Sequence, residues 1–329
     1  MNKKILVIGG SGFVGSLLLK NLTDCNVSNL DKRPSPFFNK ITEIGNVLDK
    51  EKLKISLKNV ETVVLLAAEH KDNVSPVSLY YDVNVNGTKN VLDAMDFNGV
   101  KNLIFTSSVA VYGLNKKCPN EFSDPDPFNH YGQSKFKAEN LIKEWYNNNI
   151  NDKSVTIVRP TVIFGERNRG NVFNLLAQIK SGRFLMIGKG KNKKSMAYVE
   201  NVVAFIKDRL LTRKIVLETY NYIDKPDFTM NELTLLVQKI VGVNIIGIKI
   251  PYIIGLVFGY AFDLLAFILK RKLPISSVRV KKFCATTQFD AKKVSKIFKP
   301  PFSLEKGLER TLNYEFKNTK NKDVLFYSE

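Results

Sequence analysis

The chain has 329 residues, 44% of them hydrophobic and 25% charged, which is typical of a globular protein with one large or two modest domains. Its formal net charge is +19, but the lysines are spread along the chain and no zinc-finger or RNP-like pattern occurs, so we predict no nucleic-acid partner. Three distant cysteines indicate neither a disulfide framework nor a metal site. With no secretory leader predicted, these features favour the cytoplasm.

The N-terminal segment predicts a dinucleotide-binding loop. An apolar strand leads into GGSGFVG, with glycines at 9, 12 and 15, and a helical pattern follows. In such a loop, Gly9 permits a tight turn, Gly12 lets a pyrophosphate approach the backbone, and Gly15 lets the helix pack on the strand. Phe13 and Val14 begin the helix, whose positive end would bind the phosphates.

The second predicted strand, residues 26–30, ends at Asp31. A carboxylate here can accept hydrogen bonds from the adenine ribose hydroxyls and repels a 2′-phosphate, which favours NAD over NADP. Lys32 and Arg33 follow directly and could counter that repulsion. NAD is therefore the predicted cofactor, and NADP is not excluded.

Strand and helix patterns alternate over the first 160 or so residues. A buried strand at 60–68 ends in Ala67 and Ala68, where small side chains leave room for a cofactor. A helix begins near Asn84, and the next strand, 103–106, is followed by Ser107 and Ser108. This alternation predicts an α/β fold with a doubly wound parallel (Rossmann) sheet, in which ligands bind at the carboxyl ends of the strands.

Tyr131 and Lys135 are four residues apart, so in a helix they lie on one face. A free phenol has a pKa of about 10, and a cation one turn away favours the phenolate. Such a tyrosine can exchange a proton with a carbinol oxygen while a hydride moves at the carbon. The spacing alone is common in proteins and does not establish this role.

Eight short motifs occur together in a fixed order. The chain resembles the extended short-chain dehydrogenase/reductases, the group of NAD-dependent nucleotide-sugar epimerases, dehydratases and reductases. The resemblance covers about the first 205 residues, and residues 275–316 are similar to the family's closing segment. The motifs are GGSGFVG (9–15), Asp31, LLAA (65–68), NVNGTKNVL (84–92), FTSSVAVYG (105–113), YGQSK (131–135), IVRPTVIFG (157–165) and MAYVENV (196–202).

The resemblance implies roles for individual residues. Ser108 would be the catalytic hydroxyl and Tyr131 the acid/base. Lys135 would bind the nicotinamide ribose and lower the tyrosine pKa. The further cofactor contacts that it implies are Ala67, Ala68, Asn84, Pro160 and Ile163.

The positions after Ser108 bear on the reaction. The family's 4,6-dehydratases place an Asp-Glu pair there, because loss of water needs an acid and a base. Val109 and Ala110 can supply neither, so we exclude a dehydratase. The resemblance implies a reductase of a UDP-4-keto-6-deoxy-N-acetylhexosamine for surface polysaccharide. The alternatives are a UDP-N-acetylhexosamine 4-epimerase and a membrane-surface dehydrogenase of a hydroxysteroid or other lipid alcohol.

We predict two domains and a homodimer. Residues 1–165 would form the dinucleotide-binding domain, with 196–224 returning to it. Residues 166–195 and 225–316 would form a smaller, discontinuous α+β substrate domain, and 317–329 a mobile tail. The polar candidates for binding the substrate's diphosphate are Arg167, Arg169, Asn171, Lys194 and, in a predicted strand, Arg279.

Residues 252–269 are apolar except for Asp263, and Lys270, Arg271 and Lys272 follow. At 18 residues this helix is at the lower limit of a membrane span, and Gly255 and Gly259 form a GxxxG motif. We expect a buried core helix. Peripheral contact of 252–272 with the cytoplasmic membrane face is the second alternative and a span the third, because the segments before and after it belong to one folded body.

Overall fold

The computed structural model describes residues 4–71, 74–114, 116–150, 152–182, 184–212, 214–244, 247–271, 276–317 and 324–327. Its strands are β1 (Ile5–Ile8), β2 (Val27–Asp31), β3 (Thr42–Ile44), β4 (Thr62–Leu65), β5 (Asn102–Thr106), β6 (Ser154–Pro160), β7 (Val162–Phe164), β8 (Asn168–Arg169), β9 (Met186–Ile187), β10 (Lys193–Tyr198), β11 (Leu217–Tyr222), β12 (Asp224–Thr229), β13 (Lys249–Ile250) and β14 (Phe326–Tyr327). Its α-helices are α1 (Phe13–Asn21), α2 (Lys50–Ser56), α3 (Ser78–Tyr81), α4 (Gly87–Phe97), α5 (His130–Asn147), α6 (Asn171–Lys180), α7 (Val199–Leu211), α8 (Met230–Val241), α9 (Tyr252–Leu269), α10 (Ser277–Cys284), α11 (Lys292–Ser295) and α12 (Leu304–Phe316).

A seven-stranded sheet in the order β11-β6-β5-β4-β1-β2-β3 forms the centre of the molecule, and all its pairs are parallel. Successive residues of β1 enter different cores, because side chains alternate across a strand. Val7 packs with α1 and α7 on one face, and Leu6 and Ile8 pack with α2, α4 and α5 on the other. The predicted doubly wound parallel sheet is thus confirmed.

A smaller C-terminal part packs beside this sheet. It contains the three-stranded sheet β12-β10-β7, the β13-β9 pair and helices α6, α8, α9 and α10. The chain between α7 and this part returns to the main sheet, where β11 forms the edge beside β6. The cleft described below lies along the carboxyl ends of the central strands.

The strand predicted around Arg279 is wrong, because this residue lies on α10. Two side chains satisfy backbone groups at the start of that helix. The Ser276 hydroxyl accepts a hydrogen bond from the Arg279 N–H at 3.2 Å, and the Asp263 carboxylate accepts one from the Ser277 N–H at 3.2 Å. Such capping favours a helix where a strand had been predicted.

Helix α9 lies on the surface, so the expectation of a buried core helix is wrong. It is the one helix among the described residues that is long and apolar enough to cross a membrane, yet only 11% of it is buried. Gly255 and Gly259 are its buried residues, and a Cβ on them would lie 2.6 Å from the Ile187 side chain and 2.8 Å from the Ser277 Cα. The glycine pair therefore packs the helix on the protein body.

Candidate active site

A cleft of about 580 Å³ runs along the carboxyl ends of the central strands. Its wall contains predicted cofactor and catalytic residues from six stretches of sequence. They are Gly9, Gly12, Phe13, Val14, Gly15, Asp31, Lys32, Ala67, Ala68, Ser108, Tyr131, Lys135, Pro160 and Ile163.

The glycine loop has the geometry that a pyrophosphate requires. Gly9 has φ +93°, a left-handed conformation that suits glycine. A Cβ on Gly15 would lie 2.5 Å from the Gly9 carbonyl oxygen, so a side chain there would push α1 off the turn. A Cβ on Gly12 would meet protein only at 3.6 Å. The space in front of Gly12 opens into the cleft at the N-terminus of α1, where a dinucleotide's phosphates fit.

Asp31 is fixed at the end of β2 by two backbone groups. Its carboxylate accepts hydrogen bonds from the Ser11 N–H at 2.9 Å and the Arg33 N–H at 3.0 Å. Each oxygen retains acceptor capacity toward the cleft that it lines. This arrangement can receive ribose hydroxyls. Lys32 lies beside it, with its ammonium 3.8 Å from the Glu69 carboxylate.

Ser108 and Tyr131 are brought together by a turn and a helix. Ser108 follows β5, and its hydroxyl accepts a hydrogen bond from the Ala110 N–H at 3.1 Å. Tyr131 lies in the first turn of α5, where the Asn129 side chain caps the Gly132 N–H at 2.8 Å. A Cβ on Gly132 would lie 2.6 Å from the Ala110 carbonyl oxygen. Glycine there allows the two elements to approach and brings the two hydroxyls within reach of each other.

The expected lowering of the Tyr131 pKa by Lys135 is not seen, since burial raises that pKa above its ordinary value and the Ser108 hydrogen bond only opposes this. Lys135 is itself 1% exposed, with its Nζ 4.0 Å from the centre of the Phe105 ring. Burial lowers the pKa of Lys135 to about 7, against the opposing charge of Glu139. In this structure the pair therefore consists of a neutral phenol and a lysine that titrates near neutrality.

A buried ion pair lies beneath these residues. The Arg159 guanidinium donates to both carboxylate oxygens of Glu139, and the Ser107 hydroxyl donates to the same carboxylate. Arg159 also donates to the Tyr112 hydroxyl, which donates to the Asn221 side chain at 2.9 Å. Glu139 is 0% and Arg159 2% exposed. The network connects α5 with β5, β6 and β11 directly behind the catalytic candidates.

Asn84 lies behind the cleft, and we correct its expected contact with the cofactor. It is 1% exposed in a π-helical turn, Asp82–Asn86. Its amide donates to the Glu69 carbonyl and to the Ser134 hydroxyl, both at 2.9 Å, and its oxygen accepts from the Glu69 N–H at 2.8 Å. Ser134 in turn donates to the Tyr131 carbonyl at 2.8 Å. Asn84 thus supports the backbone of Tyr131.

Among the described residues of the cleft wall, no carboxylate is placed for dehydration. Val109 and Ala110 line it beside Ser108, and among the described residues of the wall the only carboxylate is that of Asp31, which is held against the glycine loop. An elimination of water needs an acid and a base at the sugar. The arrangement suits hydride transfer with proton exchange through Tyr131.

Of the five substrate candidates, Asn171 lines the cleft and the four cations do not. Arg169 pairs with Glu315 at 2.8 Å, and the Arg167 side chain donates to the Tyr314 hydroxyl at 3.1 Å. The Lys194 ammonium donates to the carbonyls of Lys282 and Ala285 at 2.8 and 2.7 Å. Arg279 is exposed on α10. The expectation that these cations bind the diphosphate is therefore not supported by their positions, because three of them satisfy protein groups.

Sequence reasoning missed several residues of the cleft wall, among them Phe128, Ser195, Thr287 and Phe289. The last two come from a segment far along the chain that pairs with β10, where the Ser195 N–H donates to the Thr287 carbonyl at 2.9 Å. No local motif marks Thr287 and Phe289, because their segment reaches the cleft through this pairing.

The chain is similar to known proteins in sequence and in fold. The NAD dependent epimerase/dehydratase family matches residues 5–221. The N-acetyl-alpha-D-glucosaminyl-diphospho-ditrans,octacis-undecaprenol 4-epimerase of Escherichia coli O157:H7 is 57% identical over 331 residues, covering 100% of both chains. A sterol-4-alpha-carboxylate 3-dehydrogenase of Candida albicans is 29% identical, over 95% of this chain and 97% of its own. The solved structure of UDP-glucuronic acid 4-epimerase from Bacillus cereus in complex with NAD has a TM-score of 0.72 at 22% identity, covering 94% of this chain and 98% of its own.

Proposed function

Because the chain belongs to the NAD-dependent epimerase/dehydratase family, we propose that it is a 4-epimerase acting on an N-acetylhexosamine carried by a polyprenyl diphosphate. The enzyme class and the NAD cofactor follow from the family. The step to a lipid-carried sugar is supported by the E. coli relative, whose name gives such a substrate. The sequence had favoured a reductase, and this relative favours the epimerase alternative instead.

The catalytic candidates suit reversible oxidation at C4. When bound, NAD accepts and returns the hydride at that carbon. Tyr131, once its own proton has left, accepts the C4 hydroxyl proton as a phenolate while the ketone forms, and as the phenol it gives that proton back when the ketone is reduced from the other face. The Ser108 hydroxyl lines the cleft beside Tyr131 and can hydrogen-bond the same sugar oxygen in both directions. Because the pKa of Lys135 is about 7, its amine can be charged while Tyr131 is a phenolate and neutral while Tyr131 is a phenol.

The observation that carries the lipid part of the proposal is the exposed face of α9. Successive helical residues are rotated by about 100°, so residues 253, 257, 260, 264, 267 and 268 form one stripe and the two glycines lie on the opposite side. Within this face the Tyr260 hydroxyl accepts a hydrogen bond from the Lys281 ammonium on α10 at 3.0 Å, and a soluble sugar nucleotide would give the exposed apolar side chains no partner. Its large apolar side chains are Ile253 (74% exposed), Val257 (62%), Tyr260 (52%), Leu264 (62%), Phe267 (81%) and Ile268 (65%).

Charge next to the stripe fits an anionic bilayer. Lys270 and Arg271 follow α9, and Arg279, Lys281 and Lys282 lie on α10, which packs against it. Lys272, part of the predicted basic cluster, lies outside the described residues. A basic side chain near an anionic membrane contributes about 1 kcal/mol. We infer that the helix lies in the cytoplasmic membrane interface, with its exposed stripe toward the lipid and these cations at the head groups.

A span through the membrane does not fit this fold. Before α9, β13 pairs with β9, and after it α10 packs back on α9 while Thr287 bonds to β10. Both ends of the helix are thus attached to one body on one side. Asp263 is satisfied by capping α10, so it needs no partner within a bilayer.

The deciding assay compares two substrates with the full-length enzyme and no added cofactor. N-acetylglucosaminyl-diphospho-undecaprenol in vesicles should be converted to its galacto epimer with at least a tenfold higher kcat/KM than UDP-N-acetylglucosamine. Products are released by mild acid and separated by chromatography. Equal or faster conversion of the UDP-sugar would indicate a nucleotide-sugar epimerase instead. Stoichiometric consumption of NADH with a 4-keto sugar, without epimerisation, would indicate a reductase.

A further inference from the structure

The C-terminal segment, residues 324–327, returns to the cofactor cleft. Within it, β14 runs parallel to β8, with Phe326 opposite Asn168 and Tyr327 opposite Arg169. The Phe326 N–H donates to the Arg167 carbonyl at 2.9 Å. Against the expectation of a mobile tail, these residues are therefore held by backbone pairing.

The Phe326 side chain packs against Phe13 in the cleft wall and against Phe37 on the loop that follows Asp31. Its ring centre lies 5.8 Å from that of Phe13 and 6.3 Å from that of Phe37, at interplanar angles of 47° and 51°. Phe13 begins α1 and lines the cleft in the glycine loop. Phe37 follows Asp31 by six residues. One side chain thus joins the loop that faces the pyrophosphate to the loop after the ribose-binding carboxylate.

The strand that receives this segment is itself fixed. The Glu315 carboxylate on α12 accepts the Arg167 N–H at 2.8 Å and pairs with Arg169 at 2.8 Å, on either side of Asn168. The Arg167 guanidinium lies 5.3 Å from the Phe37 ring centre, on the same loop that Phe326 contacts. The aromatic cluster therefore connects the C-terminal part of the chain to the rim of the cofactor cleft.

We propose that the C-terminal segment retains the dinucleotide, with Phe326 holding Phe13 at the pyrophosphate end of the cleft and, through Phe37, the loop that follows the ribose-binding Asp31. The need for retention rests on the proposed function, since an epimerase keeps one NAD through both hydride transfers whereas a reductase must exchange it at every turnover. Phe326 acts through the two loops and touches no reacting atom, so it is a positioning residue.

The test is the dissociation rate of NADH from the full-length protein, followed by the loss of nicotinamide fluorescence on dilution into excess NAD. Phe326→Ala should dissociate NADH on the order of tenfold faster, because one aromatic contact accounts for roughly a 2- to 12-fold change and Phe326 makes two. Phe326→Tyr should restore the wild-type rate. Tyr327→Ala removes a ring from the same strand, but one that is 64% exposed, and should change nothing.

The outcomes separate this inference from the proposed function. Unchanged NADH dissociation in a folded Phe326→Ala protein, or equal acceleration in Tyr327→Ala, overturns retention by Phe326. Rapid NADH release limited to Phe326→Ala, with no epimerisation of any sugar by the wild type, keeps the inference and overturns the function. Loss of epimerase activity on dilution of Phe326→Ala, recovered by added NAD, supports both.

Discussion

The exposed stripe of α9 gives a quantitative prediction for membrane binding. Changing Ile253, Leu264 and Phe267 together to serine removes three side chains that are 74%, 62% and 81% exposed in the structure. Burying such a side chain fully is worth about 1.5–3 kcal/mol, so scaled by these exposures the three contribute about 3–6 kcal/mol in a bilayer interface. Since about 1.4 kcal/mol is a factor of ten, the partition coefficient should fall roughly 10²- to 10⁴-fold.

The assay is co-sedimentation with vesicles of phosphatidylglycerol and phosphatidylcholine at low salt. Phe122→Ser is the matched control, because Phe122 is 88% exposed but lies far from α9 in the sequence. It should bind like the wild type. The midpoint of thermal unfolding should be the same for the wild type and both variants, since the replaced side chains lie outside the core. Wild-type vesicle affinity in the triple variant would refute the docking of α9. Retention of the wild type in the membrane pellet through a carbonate wash would indicate insertion.

Three further predictions concern the cleft. Tyr131→Phe should reduce turnover roughly 10²- to 10⁴-fold with NAD affinity nearly unchanged, and near wild-type turnover would show that another group transfers the proton. Asp31→Asn should reduce the ratio of NADH to NADPH affinity in fluorescence titrations by about tenfold, because it removes a charge that repels the 2′-phosphate. Tighter binding of NADPH than of NADH by the wild type would indicate that Lys32 and Arg33 bind the 2′-phosphate. Burial lowers the pKa of Lys135 to about 7 from its ordinary value of 10.5. Between these two pH values the unfolded chain binds a proton that the folded chain lacks. The free energy of unfolding of the cofactor-free protein should therefore increase as the pH rises through this window. Lys135→Met should flatten this rise in urea titrations, and an identical slope in both proteins would contradict it.

Local patterns were enough to predict the sheet and the cofactor side of the cleft. The glycine loop, Asp31 and the paired positions Tyr131 and Lys135 follow from spacings within single elements. Their approach to Ser108 depends on the parallel sheet that the strand-helix alternation predicts. The roles of these residues stay predictions, because geometry alone does not establish turnover.

Long-range contacts explain where prediction failed. Arg169 and Lys194 are occupied by Glu315 and by backbone carbonyls far along the chain. The direction of the Tyr131 pKa depends on burial, which a one-turn spacing does not reveal. The environment of α9 could not be read from a nearly uniform apolar run, because the same composition suits a core, an interface and a span.

The buried ion pair behind the catalytic candidates also constrains how this sequence can diverge. Removing either Glu139 or Arg159 alone leaves an uncompensated charge in the interior, at a cost of about 3–5 kcal/mol. That is a large share of the roughly 5–15 kcal/mol by which a protein is typically stable. A substitution at one of the two positions is therefore disfavoured as long as the other residue is unchanged. Relatives that have lost the pair should have replaced both residues with apolar side chains of similar volume, so these two positions should covary across homologues even though neither lines the cleft.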